Sequence, residues 1–241
     1  MAESEIRYPG NRLRALAELH CHTRFSDGFA TPQVCIRAAR ARRLSILAIT
    51  DHNTAEGGLP YWDRPVQDGV LVIPGEEIST ELGHVLALFV RETIQPGEFL
   101  PVVENVHAQG GLAFLAHPYH IPIGNIFRRK TIMKLTAQQL ESLDGLEVEN
   151  GHNRWRANRL APPLAARHSR VAISGSDAHF PLEVGNACTA IELAELSLQA
   201  VRLALLNGRA MPLPRRFSAF PIYLLSGLLN RVQSRQYAWK G

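Results

Sequence analysis

Residues 45–52 read Ser-Ile-Leu-Ala-Ile-Thr-Asp-His. The apolar run Ile46–Ile49 stops abruptly at a hydroxyl, a carboxylate and an imidazole. Unbroken rather than alternating hydrophobicity marks a strand buried on both faces, as in a parallel sheet covered by helices. Polar groups at the C-terminal end of such a strand lie on the face where strand–helix barrels assemble their sites. The pattern repeats in both directions. Leu16–Leu19 runs into His20-Cys21-His22, Val70–Ile73 into Pro74-Gly75-Glu76-Glu77, and Ala113–Ala116 into His117-Pro118. Leu146–Val148 runs into Glu149-Asn150, and Val171–Ser174 into Gly175-Ser176-Asp177-Ala178-His179. Val85–Val90 differs, because its histidine, His84, comes before the run. His84 meets Glu77 if Glu81-Leu82-Gly83 turns the chain tightly back, so this strand is expected to start near the active face and run against its neighbours.

Helical patterns fill most of the gaps. One starts at Thr31-Pro32, a capping threonine with proline at the first helical position, and runs to about Arg43. Others are expected over Pro101–Gln109, Thr136–Leu140, Arg154–Arg167 and Ser197–Asn207, with Pro162-Pro163 kinking or breaking the fourth. The connection Asn53–Gly69, with Gly57-Gly58, Pro60 and Pro65, cannot hold a long regular helix; its Tyr61 and Trp62 plug the core or belong to a lid. Strands alternating with helices give an α/β class. Seven strands point to a closed or nearly closed barrel.

Composition limits the function classes. The chain has 241 residues, 46% hydrophobic and 20% charged, which excludes a mainly disordered protein. Its apolar stretches reach about ten residues, and a membrane-spanning helix needs about twenty, so no such helix is expected. A net charge of +4 is weak support for a nucleic-acid partner. Three cysteines without a CxxC pair, and a start of Met-Ala-Glu-Ser-Glu-Ile-Arg with no apolar core, fit a reducing, cytoplasmic setting.

The histidines carry the chemistry. Residues i and i+2 of an extended segment face the same way, so His20 and His22 can reach one metal ion while Cys21 points away. Ser26-Asp27-Gly28 turns directly after the first strand and sets a carboxylate beside them. His, Asp and Glu without thiolates suit Zn²⁺, Mn²⁺ or Fe²⁺, and the candidates are numerous enough for two or three ions with bridging groups. Such clusters favour phosphoester hydrolysis.

The ordered motifs HxH, SDG, TDH, PGxE, GHxxxL, AHP and GSDAH resemble those of the polymerase and histidinol phosphatase (PHP) family of metal-dependent phosphoesterases, over about 70% of the chain, from Glu18 to Ala190. The resemblance implies a distorted, TIM-like (β/α)7 barrel with a trinuclear centre. Carried over by motif, His20, His22, Glu77 and Asp177 hold one ion. Glu77 bridges to a second, bound also by His84 and His117, and Asp27, His52 and His179 hold the third. Glu77 is taken over Glu76 because the family pattern is Gly-x-Glu. The aspartate of the SDG turn resembles the branch that removes phosphate from small nucleotides. Asp51 and His179 are the candidates for assisting proton transfer, Asp51 by orienting a ligand or water. Only thirty-two residues separate His84 and His117, too few for the capping insertion common in that branch.

Arg24, Arg128, Arg129 (with Lys130) and Arg154 are the candidate substrate contacts. The expected activity is hydrolysis of a small phosphomonoester with two to three divalent ions (Mn, Fe or Zn). The alternatives are a nuclease trimming nucleotide ends or short oligonucleotides, and a non-catalytic, metal-stabilised binding module. Residues 15–210 form the expected barrel and 211–241 a tail. The apolar stretch Phe217–Leu229 within it is expected to pack on the barrel or across a homo-oligomer interface.

Overall fold

The computed structural model describes residues 7–8, 12–119, 135–153, 155–168 and 170–216. Its strands are β1 (Arg7–Tyr8), β2 (Arg12–Glu18), β3 (Ile46–Ile49), β4 (Val66–Gln67), β5 (Val70–Thr80), β6 (Gly83–Leu88), β7 (Leu112–Leu115), β8 (Gly145–Asn150), β9 (Val171–Gly175), β10 (Thr189–Leu193) and β11 (Ala210–Pro212). The helices are α1 (Pro32–Ala41), α2 (Phe99–Ala108), α3 (Ala137–Ser142), α4 (Trp155–Arg167) and α5 (Leu198–Leu206). They form one mixed sheet of order β11-β10-β2-β3-β5-β6-β7-β8-β9, with β1 and β4 as side pairings. All seven expected strands are present. The sheet is wider than a seven-stranded barrel because β10 and β11 extend it beyond β2.

The sheet nearly closes through side chains rather than a ladder. At the gap between β9 and β10, the Thr189 hydroxyl accepts from Ser174 N at 2.7 Å and donates to Ser174 O at 2.9 Å. Ser174 Oγ donates to Leu213 O just past β11. One threonine thus satisfies backbone groups that a strand partner would otherwise take.

Strand direction is mixed. β2, β3 and β5 run parallel, as do β7, β8 and β9. β6 is antiparallel to both β5 and β7, as the position of His84 requires. Alternation explains the unbroken apolar runs. Ile46, Ala48, Leu71, Ile73, Leu86, Leu88, Leu112 and Phe114 share one buried cluster. Their neighbours Leu47, Ile49, Val70 and Val72 turn the other way onto Cys35, Ile36 and Ala39 of α1. Val85, Ala87, Ala113 and Leu115 pack on α2 and α4. Fully burying each large side chain contributes about 1.5–3 kcal/mol, so neither face tolerates a polar interruption without a partner.

Four local details add to or alter the expectations. Thr31 holds the N-cap position of α1, but its hydroxyl makes no capping bond; Pro32 in the first turn sets the helix start instead. α3 carries an unforeseen capping box between Thr136 and Gln139. α4 continues through Pro162 and Pro163 from Trp155 to Arg167, held by Ala161, Leu164 and Ala165 in the core. In the Asn53–Gly69 connection Tyr61 is buried against the α1 layer and Trp62 lies under Arg91, whose guanidinium carbon is 4.2 Å from the ring centre. Both aromatics are plugs rather than parts of a lid. Arg128, Arg129, Lys130, Arg154 and the stretch Phe217–Leu229, with the oligomer contact assigned to it, lie outside the described residues. Among the described residues no helix is long and apolar enough to cross a membrane.

Candidate metal centre

The site lies where β2, β3, β7 and β9 end and β6 begins. Glu77, fully buried on β5, is approached by five imidazoles. Its Oε1 lies 2.7 Å from His117 Nε2 and 2.8 Å from His84 Nδ1. Its Oε2 lies 3.1 Å from His52 Nδ1 and 3.3 Å from both His20 Nε2 and His22 Nε2. The neighbouring Glu76 projects to the other side, as alternation demands, where its Oε2 accepts from Ile94 N. Burial there pushes its carboxyl up to about 8.

Three groups of donor atoms follow. The first is His20, His22, Glu77 and Asp177. Its measured edges run from 3.1 Å (His22 Nε2 to Asp177 Oδ1) to 3.6 Å (His20 Nε2 to Asp177 Oδ1), with the two ring nitrogens 3.2 Å apart. Four donors about 2.0–2.1 Å from a central divalent ion stand about 3.3–3.4 Å apart in a tetrahedron, so these atoms fit one. The second is Glu77 with His52 and His84; His117 Nε2 also reaches Glu77 Oε1, and its ring meets that of His84 edge-on with centres 5.3 Å apart. The third is Asp27, with His179 Nε2 at 3.2 Å, His52 Nε2 at 3.7 Å and His22 Nδ1 at 3.7 Å. The nine residues named as ligands from the sequence are therefore gathered in one place.

Hydrogen bonding also fits a cation. His20 Nδ1 donates to Glu147 Oε1 at 3.0 Å, so in the neutral ring Nε2 turns a lone pair into the first group. His179 Nδ1 lies 2.8 Å from the Asp177 carbonyl, which can only accept, so Nε2 turns its lone pair toward Asp27. Glu77 Oε2 and His22 Nδ1 are buried with no hydrogen-bond partner. Lone pairs facing lone pairs in a buried site call for positive charge between them. Without an ion, protons supply it. Burial favours the neutral rings, but the carboxylates of Glu147, Asp177 and Glu77 hold His20 well above its usual value. Asp177 and Glu77 likewise overcome burial and push His22 up to about 10. Burial would raise Glu77, Asp27 and Asp177, yet the surrounding imidazoles hold all three below the usual carboxylate range. His52 goes the other way, pushed down to about 4 chiefly by burial.

The structure adds residues that the sequence pattern did not single out. Glu147, inside β8, bonds the His20 ring and also accepts from His117 N at 2.8 Å and Asn150 Nδ2 at 2.9 Å. Gly175 lets these elements meet: a Cβ there would stand 2.4 Å from His20 Cβ and 2.6 Å from Glu147 Oε1. Glu149, the acid expected at the end of this strand, turns away to Asn158 at 2.6 Å because the ladder shifts register between Glu147 and Glu149. Glu18, fully buried, accepts from His20 N, Ser176 N and Gly185 N, tying β2 to the segment after β9. Glu183 takes His152 Nε2 at 3.0 Å and accepts from His179 N. A charged residue inside an otherwise apolar run was the available signal for Glu18 and Glu147.

Asp51 has a different set of contacts. It is fully buried, and its bonds go to the turn that carries Asp27: Thr23 N at 2.6 Å, Thr23 Oγ1 at 2.7 Å and Ser26 Oγ at 2.7 Å. These contacts hold in place the turn that carries Asp27. Arg24 is exposed and donates Nε–H to Phe29 O.

A carboxylate that bonds the far nitrogen of a ligand histidine is typically worth 10–100-fold in metal affinity. Glu147→Gln should therefore weaken binding of the first-group ion by roughly 10–100-fold, read by competition with a chelator. Unchanged affinity would show that the His20 orientation does not depend on Glu147.

A family model described as PHP domain matches residues 18–149, and one described as PHP-associated matches residues 155–210. An uncharacterised protein of Methanocaldococcus jannaschii is 33% identical over 153 residues, 57% of this chain and 83% of that one. A 5'-3' exoribonuclease of Escherichia coli is 42% identical over 65 residues, 26% of this chain and 22% of its own length. A 3',5'-nucleoside bisphosphate phosphatase of Chromobacterium violaceum is 35% identical over 81 residues, 34% and 28% of the two chains. The fold is shared with a Bacteroides vulgatus two-domain protein containing a predicted PHP-like metal-dependent phosphoesterase. Its TM-score is 0.67 at 23% identity, over 95% of this chain and 74% of that one.

Proposed function

This chain belongs to the PHP domain family, and on that footing we propose that it is a divalent-metal-dependent phosphoesterase acting on small phosphomonoesters. The observation that carries this reading is Glu77: one carboxylate whose two oxygens are divided among five imidazoles. That division suits a group shared between ions. In this assignment His20, His22, Glu77 and Asp177 hold one, Glu77, His84 and His117 a second, and Asp27, His52 and His179 a third. When bound, such ions supply Lewis-acid stabilisation of phosphoryl charge and a nucleophilic water ionised near neutral pH.

The chain's own residues do the rest. Glu147 fixes the His20 ring, the Asp177 carbonyl fixes His179, and Asp51 fixes the turn bearing Asp27, so the donors need no rearrangement when substrate arrives. In this reading Arg24, exposed on the turn between His22 and Asp27, holds a second anionic group of the substrate. The working unit is residues 15–210, with β11 carrying the sheet on to Pro212 and 211–241 as a tail.

The local similarity to a 5'-3' exoribonuclease supports a second reading, nucleolytic trimming of short oligonucleotides. Against it, processing a long strand requires a basic groove with stacking aromatics along several nucleotides. Only 7% of the chain is aromatic. A side-by-side assay with Mn²⁺ separates the two. An aryl phosphate, mononucleotides and a nucleoside bisphosphate should outrun 5'-phosphorylated oligonucleotides by at least about tenfold in kcat/KM, near the rate expected for one missing contact. A higher kcat/KM for strands of ten or more nucleotides would replace the phosphatase reading with the nuclease.

A further inference from the structure

Between Leu19 and Ala30 the structure buries or half-buries every residue except two, Arg24 and Phe25. They stand side by side on the turn between His22 and Asp27, both of the candidate centre. Phe25 is 43% exposed, a large apolar ring turned to solvent on the short turn that joins two residues of the candidate centre.

The exposure does not come from a loose loop. Ser26 N and Gly28 N both donate to Thr23 O, at 3.1 and 2.9 Å. Below the turn, Asp51 takes three bonds from Thr23 and Ser26. Gly28 packs so closely that a Cβ would lie 2.5 Å from the His22 carbonyl carbon and oxygen. The far side is joined to the segment carrying His179. Phe29 N donates to His179 O at 2.8 Å, and the Phe29 and Phe180 rings stack with centres 4.3 Å apart and planes within 4°. Arg24 is tied in by its own N to Ala30 O at 2.8 Å and its Nε to Phe29 O. The backbone under Phe25 is therefore fixed relative to Asp27 and His179, and its ring is presented to solvent with little backbone freedom left to lose on binding.

We infer that Phe25 is a stacking platform that selects substrates whose leaving group carries a planar aromatic ring. This rests on the phosphoesterase reading and narrows it. A phosphoryl group at the histidine and carboxylate cluster leaves the remainder of the substrate beside the turn, where Phe25 is the exposed aromatic residue. A ring stacked on it removes apolar surface of both partners from water and gains the quadrupole term of offset stacking, while the adjacent guanidinium of Arg24 suits a ring that bears a further anionic group.

The test separates stacking from simple hydrophobicity and binding from turnover. Benzylphosphonate and 4-phenylbutylphosphonate are each titrated calorimetrically into metal-loaded protein beside their cyclohexyl counterparts. The saturated rings are similar in size and more hydrophobic, so only a preference for a flat π-face favours the phenyl compounds. The corresponding phosphate esters are assayed for hydrolysis. The wild-type protein should bind the phenyl member of at least one pair roughly five- to tenfold more tightly. Phe25→Leu should bring that ratio close to one with metal content unchanged, and Phe25→Trp should restore it. Equal affinity within both pairs, or a phenyl preference that survives in Phe25→Leu, overturns the assignment. If phenyl preference is present and tracks residue 25 while no ester is hydrolysed, the platform stands and the phosphoesterase reading falls. Hydrolysis without ring preference removes the platform and leaves the phosphoesterase reading standing.

Discussion

Glu77→Ala should empty the centre. Bound metal is expected to fall from roughly two to three equivalents to less than one, and hydrolysis of a small phosphomonoester to drop by on the order of a thousandfold or more. The size follows from the geometry. The two oxygens of this carboxylate face imidazoles assigned to all three ions, so its loss affects every group at once, whereas His84→Ala removes a donor from one. Removing one partner of a buried charged set also costs about 3–5 kcal/mol, which the remaining imidazoles recover only by losing protons. Metal analysis by mass spectrometry, with the rate measured on the same sample, decides it. A Glu77→Ala protein that keeps its metal complement and its rate would remove the bridging role. Treatment of the wild-type protein with a strong chelator should reproduce the rate loss, and added Mn²⁺ should reverse it in the wild type alone.

The metal-free protein should lose stability as pH rises, the opposite of what carboxylate-rich proteins do at the acid end. His20 and His22 are held above their usual values, His22 up to about 10. A group whose folded value is raised contributes its full stabilisation below its unfolded value, about 6.5 for histidine, and loses it as pH climbs through the folded one. His52, pushed down to about 4, is neutral in the folded chain throughout that window and in the unfolded chain above about pH 7.5, so it does not offset the loss there. Between about pH 6.5 and 10 the chelated protein should therefore give up several kcal/mol, at about 1.4 kcal/mol for each tenfold difference in proton affinity between the folded and unfolded chain. The metal-loaded protein should not, because its ions occupy the place of those protons. Calorimetric Tm values for the two forms across this range make the comparison. A flat or rising Tm in the chelated form would show that the imidazoles are not charged without metal.

Much of this site was legible because its residues punctuate apolar runs. Ile46–Ile49 followed by Asp51 and His52, or Val171–Ser174 followed by Asp177 and His179, states both the strand and the site in one phrase of sequence. What stayed hidden depends on which way a side chain turns within an element. Glu147 and Glu149 are both acids of one strand, two residues apart, and strict alternation would send them to one face. The register shift between them sends only Glu147 to the histidines. Asp51 sits beside His52, yet it turns toward Thr23 and Ser26 and supports the centre from below. β10 was missed because Thr189–Leu193 begins on a threonine, carries Glu192 as its fourth residue and lacks the continuous hydrophobicity of the other strands. A single exposed acid among four buried residues is a weaker signal than an unbroken apolar run.

The reversal at β6 turns the order of ligand and apolar run into a statement about polarity. A donor that follows its run belongs to a strand travelling toward the metal face, as at His52 and His117. A donor that leads its run, as His84 does, belongs to one travelling away. The two-residue link Glu81–Leu82 between β5 and β6 makes this obligatory, since no crossover helix fits in so short a span. Up or down can therefore be assigned from the primary sequence to each strand that carries a ligand. Moving the histidine of residue 84 to position 90, at the other end of the same run, would bury it among the apolar residues packed on α2, away from the other donors.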